Sequence, residues 1–193
     1  MRLFYFAFYK YLDIVSQLTI KHLIMLQLRD LPSVETLEKF AARYPEADVT
    51  AVSSFLHLLR VATDLSVALD ACLSEHGLLQ GRWWVLILLM REDNKTSTPS
   101  LLAEKAGVTR ATMTGLLDGL AKDGLVERVF DEQDRRRVTV TLTDAGQAKL
   151  DDVMPDYYAR LRACMAGVSE KGRQKLEKTL GKISLGLDAF SAK

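Results

Sequence analysis

Val138, Val140 and Leu142 alternate with Thr139, Thr141 and Thr143 in the stretch VTVTLT. A period of two with β-branched residues predicts a strand that buries one face. Just upstream, LVERVF (residues 125–130) is a second β-prone run, apolar at Leu125, Val129 and Phe130 and polar at Glu127 and Arg128. The polar connection between them, about seven residues long, is more than a tight turn needs, so the pair predicts a hairpin with a projecting loop. Arg135, Arg136 and Arg137 sit on that loop. Taken alone, the loop reads equally well as solvated surface, with Asp131, Glu132 and Asp134 as partners for the arginines.

The periodicity switches to helical before the hairpin. In STPSLLAEKAGVTRATMTGLLDGLAKDG (residues 97–124), Thr98 is placed to cap a helix with Pro99 in its first turn and an apolar face of Leu101, Leu102 and Ala106. Gly107 ends it. Thr109 is placed to cap a second helix, in which Met113, Leu116, Leu117 and Leu120 fall at i, i+3, i+4 and i+7. Arg110, Thr112 and Thr114 lie off that apolar face near the N-terminus, and Gly124 closes the helix. Helix, glycine turn, helix and hairpin with a basic tip make a winged helix-turn-helix, whose second helix enters a DNA major groove N-terminal end first.

The flanking segments read as helices too. Val52, Phe55, Leu56, Leu59, Ala62, Leu65, Ala68, Leu69 and Cys72 predict one long helix over residues 48–76 with a broad apolar face. GRWWVLILLMRE is apolar nearly all round and should be buried. Residues 144–166 and 170–190 predict two more helices; Pro155 predicts a kink or break in the first, and Leu176, Leu180, Ile183, Leu187 and Phe190 stripe the second. Nearer the N-terminus, LPSVETLEKFAARYP predicts a short helix capped at Ser33, with Leu37, Phe40 and Ala41 on one face and Pro45 at its end. The fold class is therefore mainly α with a small β-hairpin wing (α+β). The expected organisation is an extension over 1–47, dimerisation helices over 48–78 and 144–193, and the winged helix-turn-helix inserted between them over 79–143. Residues 1–24 read either as an extra helix or as an upstream extension ahead of a start at Met25.

At these residues the sequence resembles the MarR family of bacterial transcriptional regulators. DGLVERVFDEQDRRRVTVTLTDAG is similar to the family's wing signature, VTRATMTGLLDGL precedes it, and the resemblance covers about residues 48–190. It implies a homodimer on double-stranded DNA. Thr109, Arg110, Thr112 and Thr114 are then the recognition-helix contacts, Arg136 is the wing arginine in the minor groove, and Arg135 and Arg137 hold phosphate. Asp118 and Asp134 are expected to orient the wing, with Asp118 paired to Arg136. Position 115, a larger polar residue in many relatives, is Gly115 here. Such regulators often respond to a small lipophilic or aromatic-acid ligand where the two lobes meet, which points to His57, Trp83, Trp84 and Arg91. Adjacent tryptophans diverge by about 100° on a helix, so at most one of the two should face a pocket. Urate-responsive relatives carry an acid where Trp84 stands, which argues against urate.

Composition narrows the classes that remain. The chain has 193 residues, is 48% apolar and 26% charged, and carries a net charge of +1. From residue 97 to 143 basic and acidic residues balance, so any DNA affinity must come from where charges sit. No apolar run reads as long enough to cross a bilayer, the N-terminus makes a poor signal peptide, and the expected location is cytoplasmic. His22, His57 and His76 show no metal-ligand spacing, and neither a phosphate-cradling loop nor a nucleophile elbow is present, so no enzyme activity, metal or cofactor is expected. Two alternatives stay open. One is a thiol switch at Cys72 or Cys164, although redox-sensing relatives place the reactive cysteine near the start of the long helix and Cys72 falls near its end. The other is a winged helix that binds protein.

Overall fold

The N-terminal helix boundaries follow the capping residues. The computed structural model describes residues 29–130 and 138–190, the side chain of Phe130 excepted. Ser33 accepts a hydrogen bond from the Thr36 amide and starts α1 (Val34–Arg43). Leu37 is its buried residue, whereas Phe40, expected on the same face, is exposed. Asp48 Oδ1 accepts from the amides of Thr50 and Ala51 and starts α2 (Val49–Glu75). The described residues divide into two compact units, one up to Leu69 and the other from Asp70.

α2 is 27 residues long and contains an 18-residue window with a mean hydropathy of 1.3, so by length and composition it meets the requirement for crossing a bilayer, contrary to the expectation from sequence. The difference arises because scattered Ser and Thr and one ion pair, Arg60 to Asp64 at 2.6 Å, interrupt the apolar run without lowering its average far. Phe55, Leu59, Val61, Leu65 and Val67 are exposed along it.

In the second unit the core is laid around α3 (Gln80–Met90), which buries Trp83, Val85, Leu86, Ile87, Leu88 and Leu89. α4 (Pro99–Ala106), α5 (Arg110–Lys122) and α6 (Asp144–Cys164) all pack on it. Thr98 caps α4 and Gly107, at φ +63, ends it, as the turn chemistry requires. The buried residues of α4 are Leu102 and Ala103; Leu101 turns outward.

The hairpin is part of a three-stranded antiparallel sheet in the order β1, β3, β2, formed by β1 (Thr96–Ser97), β2 (Val126–Phe130) and β3 (Val138–Leu142). Thr96 pairs with Thr141 and Ser97 with Val140, a third strand that so short a segment does not announce. Val140 and Leu142 are buried, as alternation predicts. On β2 the inward residue is Val126, and Val129 is exposed.

α6 is one continuous helix through Pro155, so the predicted break does not occur. Pro155 and Asp151, whose carbonyl loses its amide partner, are both exposed, and water can satisfy that oxygen. Leu150 and Val153 anchor the segment before it in the core. α7 (Glu170–Leu185) and the short 3-10 turn after it (Leu187–Phe190) bury no residue at all.

Candidate nucleic-acid interface

The N-terminal end of α5 is built by threonines. Thr109 Oγ1 accepts from the Thr112 amide at 3.1 Å and lies 2.9 Å from Thr112 Oγ1. With that amide capped, the N–H groups of Arg110 and Ala111 remain as outward donors at the positive end of the helix dipole, the arrangement that binds phosphate. Arg110 and Thr114 are exposed and Thr112 is half-buried. Thr114 donates its hydroxyl proton to the Arg110 carbonyl at 2.9 Å, so in this rotamer it offers a partner only lone pairs. On the opposite face Met113, Leu117 and Leu120 are fully buried, which fixes the rotation of the helix and turns Arg110, Thr114 and Gly115 outward.

Electrostatic placement resolves the neutral composition. Asp118 pairs with Arg128 of β2 at 2.7 Å, and the same guanidinium donates to the Thr114 carbonyl at 3.3 Å. Asp123, at the end of α5, pairs with Arg82 of α3 at 2.6 Å. Both acids that would repel phosphate are thus neutralised, while Arg110 has no acidic partner among the described residues. Arg128 also lines a groove of about 190 Å³ between α4, α5 and the wing strands, with Pro99, Thr114, Leu117 and Val138.

Asp134, Arg135, Arg136 and Arg137 lie outside the described residues, and so does the expected pairing of Asp118 with Arg136. Arg128, which sequence reasoning did not single out, holds Asp118. Its signal was position: β2 begins at Val126, and alternation then turns Arg128 inward with it.

The candidate ligand residues fall in both units. His57 is exposed in the first unit, with Nδ1 hydrogen-bonded to the Ser53 carbonyl one turn earlier at 2.8 Å. In the second, Trp83 is buried, Trp84 is 43% exposed, and Arg91 is exposed at the C-cap of α3. The two indoles touch, centroids 4.6 Å apart, and Tyr157 and Tyr158 of α6 extend the cluster at 4.9 Å from Trp83 and 5.3 Å from each other. Trp83 Nε1 is buried and has no acceptor among the described residues.

Cys72 is buried, and that burial foremost pushes its thiol up from the ordinary range; Asp156, 3.7 Å from Sγ, adds to the shift. A protonated thiol is a poor nucleophile. Cys164 is exposed at the last residue of α6.

Residues 76–137 match the sequence profile of the MarR family. The transcriptional repressor YetL of Bacillus subtilis is 30% identical over 165 residues, covering 86% of this chain and 99% of its own length. The chain belongs to the MarR family. It is a DNA-binding transcriptional regulator and not an enzyme. Among solved structures, the MarR regulator Sco3205 of Streptomyces coelicolor in complex with DNA superposes with a TM-score of 0.64 at 23% identity, over 72% of this chain and 89% of that one. BpsR of Bordetella bronchiseptica, whose DNA binding is regulated by 6-hydroxynicotinic acid, superposes with a TM-score of 0.59 at 26% identity, over 66% and 96% of the two chains.

Proposed function

We propose that this MarR-family regulator is a cytoplasmic, homodimeric, ligand-responsive repressor that reads a pseudo-palindromic operator with half-sites about one helical turn apart. The observation that carries the DNA reading is the N-terminal end of α5, with a capped first turn, outward amides and Arg110 free of acidic partners among the described residues. Thr109, Arg110, Thr112 and Thr114 contact bases and phosphates in the major groove. Arg136 enters the minor groove, with Arg135 and Arg137 on the flanking phosphates.

Dimerisation is supported by α7. A helix none of whose residues is buried, yet which carries Leu176, Leu180 and Ile183 along one stripe, needs an apolar partner to be stable. Leu59, Val61, Leu65 and Val67, exposed along α2, have the same need.

The inducer is an aromatic acid. Trp84 and Arg91, seven residues apart, share a face of α3, so an aromatic plane and a cation stand roughly 10 Å apart along the axis. BpsR responds to a compound of this class. Ligand binding changes the spacing of the paired recognition helices and releases the operator. Unchanged distances between spin labels at the two Arg110 positions, with and without a tight inducer, would remove that mechanism.

The test is fluorescence-anisotropy binding to the intergenic duplex beside the protein's own gene, at several salt concentrations, for wild type, Arg110→Ala and Arg136→Ala. Tight binding to this duplex over a scrambled one, weakened by both substitutions, is the expected result. Equal binding to both duplexes would favour a protein-binding winged helix.

A further inference from the structure

Two glycines let α3 lie directly on the recognition helix. A Cβ at Gly81, in the first turn of α3, would stand 3.1 Å from Leu116 Cδ2 of α5. A Cβ at Gly119 would stand 2.1 Å from Arg82 Nη2, 2.8 Å from its Cζ and 2.9 Å from its Nε. The Arg82 guanidinium therefore rests on the backbone of α5 at Gly119. It continues from there to Asp123, where Nη1 donates to Oδ2 at 2.6 Å.

Each part of this contact is unfavourable without the others. Glycine inside a helix is destabilising relative to alanine. An aspartate at the C-terminal end of a helix sits at the negative pole of the dipole, where anions are disfavoured. Arg82 accounts for both, since its planar head needs the space that Gly119 leaves, and its charge answers Asp123 and the terminal carbonyls together.

We infer that Arg82 is a positioning residue for DNA recognition: by clamping the C-terminal half of α5 across Gly119 and Asp123, it sets the angle at which the N-terminal end meets the groove. The inference rests on α5 being the recognition helix. At 1.5 Å per residue, Arg110 lies roughly 20 Å from the clamped end, so a tilt of roughly 5° there displaces it by nearly 2 Å. That displacement is enough to break a hydrogen bond to a base edge. The clamp is also adjacent in sequence to Trp83 and Trp84, so a change at the aromatic cluster reaches α5 through one helix.

The test is a mutant cycle read by anisotropy on the intergenic duplex beside the gene, with thermal melts of every variant. Arg82→Ala should weaken specific binding tenfold or more while the melting temperature moves by only a few degrees, and Arg82→Lys should restore it in part by reaching Asp123. Gly119→Ala should weaken binding in the wild-type background because the methyl displaces the guanidinium. In the Arg82→Ala background it should have no further effect. An equal loss from Gly119→Ala in both backgrounds would overturn the clamp, as would unchanged affinity in Arg82→Ala when Arg110→Ala binds weakly. If Arg110→Ala also binds normally, the recognition-helix reading falls and the clamp with it.

Discussion

Replacing Gly146 with alanine perturbs the joint where α6 starts against the turn that follows α5. A Cβ there would lie 2.2 Å from the Leu125 carbonyl oxygen and 2.6 Å from Leu142 Cδ1, where ordinary contacts begin at 3.4 Å. The chain cannot absorb this by turning a side chain, because the nearer atom is backbone. α6 must move away by about 1 Å, and two hydrogen bonds span the gap that opens. The Thr143 amide donates to the Leu125 carbonyl at 3.2 Å, and Thr143 Oγ1 donates to the Gly124 carbonyl at 2.7 Å. Overpacking a filled site costs about 1–3 kcal/mol, and each weakened bond about 1 kcal/mol. Alanine's better helix propensity returns at most about 1 kcal/mol. The net loss is about 2–4 kcal/mol, or roughly 5–15 °C in melting temperature for a chain of this size. Gly181→Ala on α7, where nothing lies within 4 Å, supplies the opposite sign and should gain about 1 kcal/mol. Both are measured by thermal unfolding at 222 nm at one protein concentration, since a dimer's melting temperature depends on it. If Gly146→Ala melts at or above wild type, the close approach of α6 to the turn after α5 is wrong.

Three further outcomes follow from the geometry. His76 faces carboxylates through both ring nitrogens, Nε2 to Asp156 and Nδ1 to Asp152, each at 3.2 Å, and its pKa is raised above 6.5 chiefly by Asp156 and then by Asp152. The raised value means the stabilisation is complete below pH 6.5 and is lost as pH rises through the folded pKa. On the acid side, Asp156 and Glu75 are held low first by Arg160, so their contribution fades as pH falls below their ordinary range. The melting-temperature gap between wild type and His76→Gln should be widest near pH 6 and close at alkaline pH; a gap independent of pH counts against the imidazolium. Asp118→Asn frees Arg128 from a partly exposed ion pair, so stability should change by less than about 1 kcal/mol while DNA affinity falls. Affinity equal to wild type would mean that this pair does not orient the wing. Hydroxylated benzoates should quench tryptophan emission saturably in wild type and less in Trp84→Phe, and equal quenching in both would place the ligand elsewhere.

The helix boundaries of the DNA-binding lobe were legible because their causes are local. Thr98 and Thr109 cap helices through amides three residues on, Gly107 takes a positive φ, and the alternation from Val138 to Leu142 marks a strand by itself. Each signal is complete within a few residues, so reading it needs no knowledge of what lies across the fold. By contrast, the two-residue strand Thr96–Ser97 exists only through its register with β3, and α6 runs unbroken through Pro155, anchored by the buried Leu150 and Val153 before it. The partners Arg82 with Asp123, Arg128 with Asp118, and His76 with Asp152 and Asp156 are separated along the chain by the intervening elements and meet only once these have packed. Periodicity and capping are properties of one segment and are written in its residues. Which arginine rests on which glycine is a property of two packed surfaces, and only the tertiary structure decides it.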